Sequence, residues 1–215
     1  MEIRPIADGV LLHTSYSKLP GIGFYPSNGL VVLEGKDAYL VDMPWRVEDT
    51  QRLLDWLAAR DYRAVASFST HYHDDRSAGI PRLREAGVAT HAAAMTNELL
   101  RETGQTPAEH DINGKGSWLL PDRIYAWYPG PGHTRDNMVV WLPEYNLLVG
   151  GCMVRAAQAK GMGNTADADL QRWAGSVTAT AERFPDIKTV VPGHGEPGGP
   201  ELFKHTLDLL AQLPD

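Results

Sequence analysis

Apolar positions along the chain recur in two patterns that predict strands and helices in alternation. Short apolar runs bounded by turn residues are typical of β-strands. They occur at residues 10–13, 30–33, 39–42, 64–68, 88–91, 123–128, 138–142, 147–149 and 188–191. Segments with apolar residues on one helical face predict helices at residues 47–60, 77–86, 94–103, 167–184 and 201–213. Strands come in consecutive groups, which favours mixed sheets with helices outside over one doubly wound parallel sheet.

Two positions refine the helix predictions. Pro81 lies within the segment 77–86, so we expect that helix to be broken or to start near this residue. Asp167 and Asp169 lie near the start of the long helix at 167–184, where a carboxylate favours the N-terminal dipole.

Composition is that of an ordinary globular protein and narrows the classes of partner. The chain has 215 residues, of which 43% are hydrophobic and 22% are charged. A formal net charge of -7 argues against nucleic acid and against an anionic membrane as partners. No apolar stretch approaches the roughly 18 residues of a spanning helix, and no leader peptide is visible at the start. We therefore expect either a cytoplasmic protein or the mature form of an exported one.

The residue types that carry chemistry are concentrated at four places. His71, His73 and Asp75 alternate within one short run, and in an extended chain alternate side chains point the same way. His133, Cys152 and His194 each lie in a glycine-rich junction that follows a predicted strand. If these strands share a direction, their ends meet at one rim, where catalytic groups tend to lie.

These six side chains divide into two zinc-binding sets. Three imidazoles suit one ion, and a carboxylate, a thiolate and an imidazole suit a second. Three protein ligands leave room for water on each ion, which is typical of catalytic rather than structural zinc. The plainer interpretations are a polar turn at residues 71–75 and a small buried cysteine at Cys152, the only cysteine in the chain. The remaining histidines lack glycine framing, and we expect them to be structural or exposed: His13, His91, His110 and His205.

Three further features are candidates for contact with a substrate. Asn164 follows a flexible glycine-rich stretch, where a side-chain amide can donate to an oxyanion or simply form a turn. Arg155 lies three residues after Cys152 and is either a clamp for a substrate carboxylate or a solvated surface charge. Residues 19–25 predict a hairpin tip with apolar groups, which is either a closing loop or a plain turn.

These motifs together resemble the metallo-β-lactamases, in particular the di-zinc subclass with a cysteine ligand, and among them the VIM-type enzymes. The resemblance extends from about Val10 to Leu210. Arg76 follows Asp75, where glyoxalase II, the third lactamase subclass and the tRNA-processing nucleases carry histidine. His71 stands where the mono-zinc subclass carries asparagine. Besides the candidate ligands, the resemblance rests on five runs of sequence. These are Tyr25-Pro26-Ser27-Asn28-Gly29-Leu30, Gly132-His133-Thr134-Arg135-Asp136-Asn137, Gly150-Gly151-Cys152, Gly163-Asn164-Thr165-Ala166-Asp167 and Pro192-Gly193-His194-Gly195.

The resemblance implies an α/β fold, an αββα sandwich of two mixed sheets with outer helices. It implies one domain over residues 1–215, built from two similar halves joined near residues 105–122. His71, His73 and His133 would bind the first zinc, and Asp75, Cys152 and His194 the second. Other roles are implied for single residues: Asp42 and Arg76 would support the ligands, Asn164 would stabilise an oxyanion, Arg155 would bind substrate, and Trp45, Phe24 and Tyr25 would form apolar walls.

The implied activity is hydrolysis of the β-lactam amide of penicillins, cephalosporins and carbapenems by a zinc-bound hydroxide, with Asp75 positioning that hydroxide. Such an enzyme would be periplasmic and monomeric, would confer antibiotic resistance, and would bind neither nucleic acid nor membrane. Two alternatives stay open because fold does not fix function. One is a hydrolase of the same fold that acts on lactones or thioesters, and the other is a non-catalytic zinc-binding module.

Overall fold

The computed structural model describes residues 1–213 of the chain and divides it into two compact units. The first unit is Met1–Asn113 and the second begins at Gly114. Each unit contains one mixed β-sheet with its own helices and its own hydrophobic core. None of the helices within residues 1–213 combines the length and the apolar character needed to cross a membrane.

The sheet of the first unit has seven strands that lie side by side in chain order. The first four strands pair antiparallel, and the last three continue the sheet in parallel. Parallel neighbours need crossover connections, and helices supply them here. The strands are β1 (Glu2–Ala7), β2 (Val10–Leu19), β3 (Gly23–Glu34), β4 (Asp37–Val41), β5 (Arg63–Ser69), β6 (Ala89–Ala93) and β7 (His110–Ile112).

Four helices belong to this unit, and one face of the first helix covers the sheet. They are α1 (Val47–Ala58), α2 (Asp74–Ser77), α3 (Ile80–Glu85) and α4 (Ala94–Glu102). Leu53 and Leu57 of α1 are fully buried, with strand residues such as Val31 and Leu40 in the same core cluster. Burying side chains of this size stabilises the fold by about 2 kcal/mol each.

The second unit contains five strands and two α-helices. They are β8 (Gly116–Leu120), β9 (Ile124–Trp127), β10 (Val139–Leu142), β11 (Leu147–Gly151), α5 (Leu170–Arg183), β12 (Thr189–Pro192) and α6 (Glu201–Leu210). The strands form one sheet in the order β12, β11, β10, β9, β8. Only β11 and β12 pair in parallel, and the other neighbours are antiparallel. Trp173 of α5 is fully buried in the core of this unit.

All nine predicted strands and all five predicted helices are present, and the differences lie at their ends. Helix α5 begins at Leu170 because Asp169 caps it, its side chain accepting a hydrogen bond from the backbone N–H of Arg172. The predicted break near Pro81 is confirmed, because α2 ends at Ser77 and α3 starts at Ile80 with the proline in its first turn.

The hairpin formed by β2 and β3 is much longer than the two predicted strands. Pairing runs without interruption from Val10 with Val32 to Leu19 with Gly23, so the predicted tip shrinks to residues 20–22. The polar run Thr14-Ser15-Tyr16-Ser17 lacks the apolar alternation that predicts a strand, although its backbone continues the ladder. Strands β1, β7 and β8 were also missed, since they are short or largely exposed.

Gly29 of β3 packs closely against the end of β4 and against His13 of β2. A Cβ atom at this position would overlap the carbonyl oxygen of Asp42 and the imidazole of His13. We therefore expect Gly29→Ala to lower the free energy of unfolding by about 3 kcal/mol, as overpacking a tight site does. Gly175→Ala on α5 is the control, because a Cβ there meets nothing within 4 Å.

Urea unfolding of both variants checks this expectation. The helical control should be as stable as the parent or gain up to about 1 kcal/mol, as alanine does over glycine in a helix. Equal stability of parent and Gly29→Ala would show that the packing around Asp42 and His13 is loose.

Candidate metal and catalytic site

The first unit brings three of the predicted ligands into one cluster. One ligand atom from each of His71, His73 and Asp75 lies within 4.8 Å of the others. The Nε2 atom of His71 is 3.9 Å from Oδ1 of Asp75. His71 and Asp75 are buried, whereas His73 is half-buried. The cluster has the composition and the spread expected of ligands that share metal ions.

The extended geometry expected for residues 71–75 is wrong. The chain bends throughout residues 70–73 after β5 ends at Ser69, and α2 begins at the next residue. Asp75 therefore lies in the first turn of a helix instead of two positions further along a strand. The bends and the helical turn bring the carboxylate back towards His71, which alternation along a strand alone would not do.

Arg76 is the buried cation that holds this turn in place. Its guanidinium lies 2.9 Å from the carboxylate of Asp75 and 3.5 Å from that of Asp42. The same group donates a hydrogen bond to the backbone carbonyl of Asn28 in β3. Arg76 and Asp42 are fully buried. A buried charge needs a partner of opposite sign, so the three side chains depend on one another.

Asp42 connects this ion pair to the backbone that carries His71. One carboxylate oxygen accepts from the backbone N–H of Thr70 at 2.8 Å, and the other accepts from the Thr70 hydroxyl at 3.0 Å. Asp42 itself has φ 58°, a left-handed conformation that turns the chain at the end of β4. Asp42 and Arg76 thus contact the segment that carries His71 and Asp75, and their role in supporting metal ligands stays a prediction.

Burial shifts the pKa values of Asp42 and His13 in opposite directions. Removal from water raises the pKa of Asp42 from 3.8 to about 6, against the opposing influence of Arg76 and Thr70. Burial lowers the pKa of His13 from 6.5 to about 4. With this lowered pKa the ring is neutral near pH 7, and its Nε2–H donates to the carbonyl of Asp42 at 3.0 Å. His13 is structural, as expected.

In the second unit, the parallel pairing of β11 with β12 unites two ligands from distant parts of the sequence. Gly151 pairs with Pro192, and the N–H of Gly193 donates to the carbonyl of Gly151 at 2.7 Å. The residues that follow these strands therefore meet at one edge of the sheet. The Sγ atom of Cys152 lies 3.2 Å from Nε2 of His194, close enough for both atoms to bind one metal ion.

His133 lies in the loop after β9, and α5 determines the shape of that loop. Its ring packs edge-on against Trp173 at 5.7 Å between centroids. A Cβ on Gly132 would lie 3.0 Å from Oδ1 of Asn137 and 3.1 Å from the indole of Trp173, so a larger residue would have to displace one of them. Trp173 also donates from Nε1 to the carbonyl of Met153, directly after Cys152, at 2.8 Å. One indole thus supports the segments that carry His133 and Cys152.

The predicted substrate-contact residues occupy different environments. Arg155 is 92% buried, with 8% of its surface exposed, while Asn164 is exposed on the loop after β11. Phe24 is 75% exposed near the hairpin tip, whereas Tyr25 and Trp45 are half-buried. The backbone N–H of Trp45 donates to the Ser15 hydroxyl at 2.9 Å, which fixes the loop after β4 against β2.

Sequence reasoning missed several residues that position the ligands. Thr70, His13, Asn28 and Trp173 carry no motif of their own, and each acts through a contact with a residue distant in sequence. Asn28 does lie in one of the runs on which the resemblance rests. Only their hydrogen-bond partners, which the fold defines, reveal what they do.

The donor types in both units suit zinc. Imidazole nitrogen, thiolate sulfur and carboxylate oxygen are the ligands that zinc takes in proteins, and all of them occur here. Cys152 is 2% exposed, so a thiolate at this position would need a cation nearby. The opposed pKa shifts of His13 and Asp42 lie outside these donors and affect the stability of the first unit.

We expect His13→Gln to lower the free energy of unfolding by an amount that depends on pH. Between pH 6.5 and pH 4 the unfolded parent binds a proton at His13 and the folded parent does not, so the parent loses stability as the pH falls. The variant lacks this loss. The amount by which the variant is less stable than the parent, measured as its deficit in unfolding free energy, should therefore shrink by about 2 kcal/mol between pH 8 and pH 5.

Urea unfolding of chelator-treated protein at the two pH values measures this deficit. The raised pKa of Asp42 works in the opposite direction in both proteins and cancels in the difference. Ser15→Ala, at a buried residue of the same strand that cannot titrate, should cost the same at both pH values. A His13→Gln deficit that stays constant or grows on acidification would contradict a neutral buried His13.

Comparison with known proteins assigns the chain to a family. Residues 22–194 match the family described as the metallo-beta-lactamase superfamily. A metallo-beta-lactamase type 2 of Pseudomonas aeruginosa is 39% identical over 206 residues, covering 96% of this chain and 82% of the relative.

Solved structures agree with this match. The DIM-1 metallo-beta-lactamase exposed to ceftazidime is 41% identical with a TM-score of 0.95, covering 98% of this chain and 96% of the other. FIM-1 from Pseudomonas aeruginosa, solved in a mono-zinc form, is 39% identical with a TM-score of 0.94 and covers 99% of this chain and 96% of the other. The expected fold of two mixed sheets with helices is confirmed, and the chain belongs to the metallo-β-lactamase superfamily.

Proposed function

We propose that this protein is a zinc-dependent β-lactamase that hydrolyses the amide bond of penicillins, cephalosporins and carbapenems. The observation that carries the proposal is the pairing of Cys152 with His194 at 3.2 Å in a chain of this family. The His71, His73 and Asp75 cluster gives independent support. Relatives that cover nearly the whole chain are named metallo-beta-lactamases.

Two zinc ions are proposed, each with three ligands from this chain. His71, His73 and His133 would hold the first, and Asp75, Cys152 and His194 the second. All six residues fall within the segment 22–194 that matches the family. One solved relative is described in a mono-zinc form, so the number of ions needs direct measurement.

The chain's own residues would prepare the reaction by orienting the reacting groups. Zinc, when bound, supplies a Lewis acid that activates water for attack and stabilises the developing negative charge. Asp75, fixed by Arg76 at 2.9 Å, would orient the attacking water through its second carboxylate oxygen. Asn164 would donate from its amide nitrogen to the oxygen that becomes negative as the β-lactam carbonyl is attacked.

Other residues would bind the remainder of the substrate. Arg155 would attract the carboxylate that β-lactams carry, since a guanidinium suits this group. Trp45, Phe24 and Tyr25 would form apolar walls. Phe24 is well placed for this because it is exposed beside the short tip at residues 20–22. A closing movement of this tip over the substrate is part of the proposal.

The biological setting follows from this activity. A β-lactamase protects the cell wall where the antibiotic acts, so we propose a periplasmic enzyme that confers resistance, carbapenem resistance included. We further propose that it works as a monomer on a small-molecule substrate. The net charge of -7 supports the absence of nucleic-acid and anionic-membrane partners.

Hydrolysis of a chromogenic cephalosporin and of a carbapenem by zinc-loaded protein tests the proposal. We expect turnover of both, loss of at least about 100-fold on chelation, and recovery when zinc is restored, since the bound metal would activate the attacking water. A serine-directed inhibitor should have no effect. Turnover of lactones or thioesters, with none of β-lactams, would assign the chain to another hydrolase of this fold. Zinc binding without any turnover would leave a non-catalytic module.

Cys152→Ser tests the second set of ligands. Serine is similar in size but is a poor zinc ligand, so we expect the bound zinc to fall from two ions to one and kcat/KM to fall by about 100-fold. Metal analysis and kinetics measure these effects. The unfolding free energy of the chelator-treated variant should equal that of the parent, which separates metal loss from damage to the fold. Full zinc occupancy with near-parental turnover would remove Cys152 from the ligand set.

A further inference from the structure

Arg155 is anchored between helix α6 and the loop that carries Asn164. Its backbone N–H donates to the Thr206 hydroxyl at 2.9 Å, and its side-chain Nε donates to the carbonyl of Gly161 at 3.1 Å. Thr206 is fully buried, and Arg155 is 8% exposed. This arginine is therefore part of the packed interior of the second unit as well as a charged group.

The guanidinium also lies flat against the next part of the same loop. A Cβ built on Gly163 would lie 3.3 Å from each terminal nitrogen of Arg155 and 3.5 Å from Cζ. Gly163 has φ +73°, a left-handed conformation that side chains rarely adopt. Between these two contacts, Met162 is buried in the core cluster. Arg155 thus contacts the loop on both sides of Met162, at Gly161 and at Gly163.

Asn164 follows directly, and its carboxamide has a defined orientation. Its Oδ1 atom accepts a hydrogen bond from the N–H of Ala166 at 3.1 Å. The oxygen is thereby tied to its own loop, which leaves the amide nitrogen to donate outward. A donor aimed in advance is worth more to an oxyanion than one that must be oriented during the reaction.

We infer that Arg155 is a positioning residue for Asn164, in addition to any contact it makes with a substrate carboxylate. The hydrogen bond to Gly161 and the stacking on Gly163 hold the turn that presents the carboxamide. This inference rests on the proposed function, because it concerns the donor that Asn164 supplies to the hydrolysis. It makes the shape of the guanidinium, and not its charge alone, a determinant of kcat.

Lysine would retain the charge and lose both loop contacts. A lysine side chain has no planar surface to lie against Gly163, and a methylene group takes the place of the Nε–H that donates to Gly161. Arg155→Lys therefore separates the two roles of the residue. A substrate clamp would keep much of its effect with lysine, whereas the loop would lose its support.

A double-mutant cycle between Arg155→Lys and Asn164→Ala tests the inference. On a chromogenic cephalosporin we expect each single change to lower kcat about tenfold and the pair to lower it little further, because both remove the same donor. KM should change less than about threefold. Independent, multiplicative losses in kcat, or an effect of Arg155→Lys confined to KM, would overturn the positioning role.

Backbone order parameters measured by NMR supply a readout that does not depend on activity. In zinc-loaded Arg155→Lys we expect the values for residues 161–166 to fall from about 0.85 towards 0.6, while those of β11 stay unchanged. Unchanged order in this loop would refute the inference even if the enzyme hydrolyses β-lactams. An ordered parent loop that loosens in the variant, in a protein without β-lactamase activity, would refute the proposed function and leave the contact intact.

Gly163→Ala tests the same contact by changing the loop residue instead of the arginine. The added methyl group would push against the guanidinium, so kcat and loop order should fall as in Arg155→Lys. Gly87→Ala is the matched control, since Gly87 has φ +74° and its Cβ would meet nothing within 4 Å. It should lose about 1 kcal/mol of stability from the backbone alone and keep its kcat. Equal kcat values for both glycine variants would count against the role of Arg155.

Discussion

The position of Arg76 between two buried carboxylates is the constraint on which the first set of candidate ligands depends. Asp42 and Asp75 come from different elements, and one guanidinium lies against both. Removing such a cation leaves two buried negative charges that repel each other, which costs several kcal/mol. The same guanidinium donates to the backbone of β3, so the ligand turn, the end of β4 and the long hairpin are held by one side chain.

In the second unit, packing around one buried side chain, and not an ion pair, positions the candidate ligands. Trp173 is fully buried, contacts the ring of His133 and donates to the carbonyl after Cys152. The parallel register of β11 and β12 then aligns Cys152 with His194. The two units thus present their ligands from rigid elements, one through an ion pair and the other through an indole. Rigid support of this kind is what precise metal ligands require.

Much of this arrangement could be predicted from the sequence. Every predicted helix and strand exists, because apolar periodicity reports directly which face is buried. The candidate ligands could be found because two histidines and an aspartate alternate in the run at residues 71–75, while His133, Cys152 and His194 stand beside glycines after predicted strands. The geometry of residues 71–75 could not be predicted, since a four-residue helix has no periodicity to detect. The roles of Thr70 and Trp173 depend on partners that only the fold brings near, and no local pattern encodes those.

The parallel pairing of β11 with β12 has a consequence for the order of events during biosynthesis. Cys152 and His194 are 42 positions apart, and their alignment requires β12, close to the end of the chain. A ribosome releases the thiol long before its partner imidazole, and domains fold as units once enough chain has emerged. The thiol of a nascent or truncated chain therefore lacks its partner, and an intact β12 is a precondition for the close approach of Cys152 and His194.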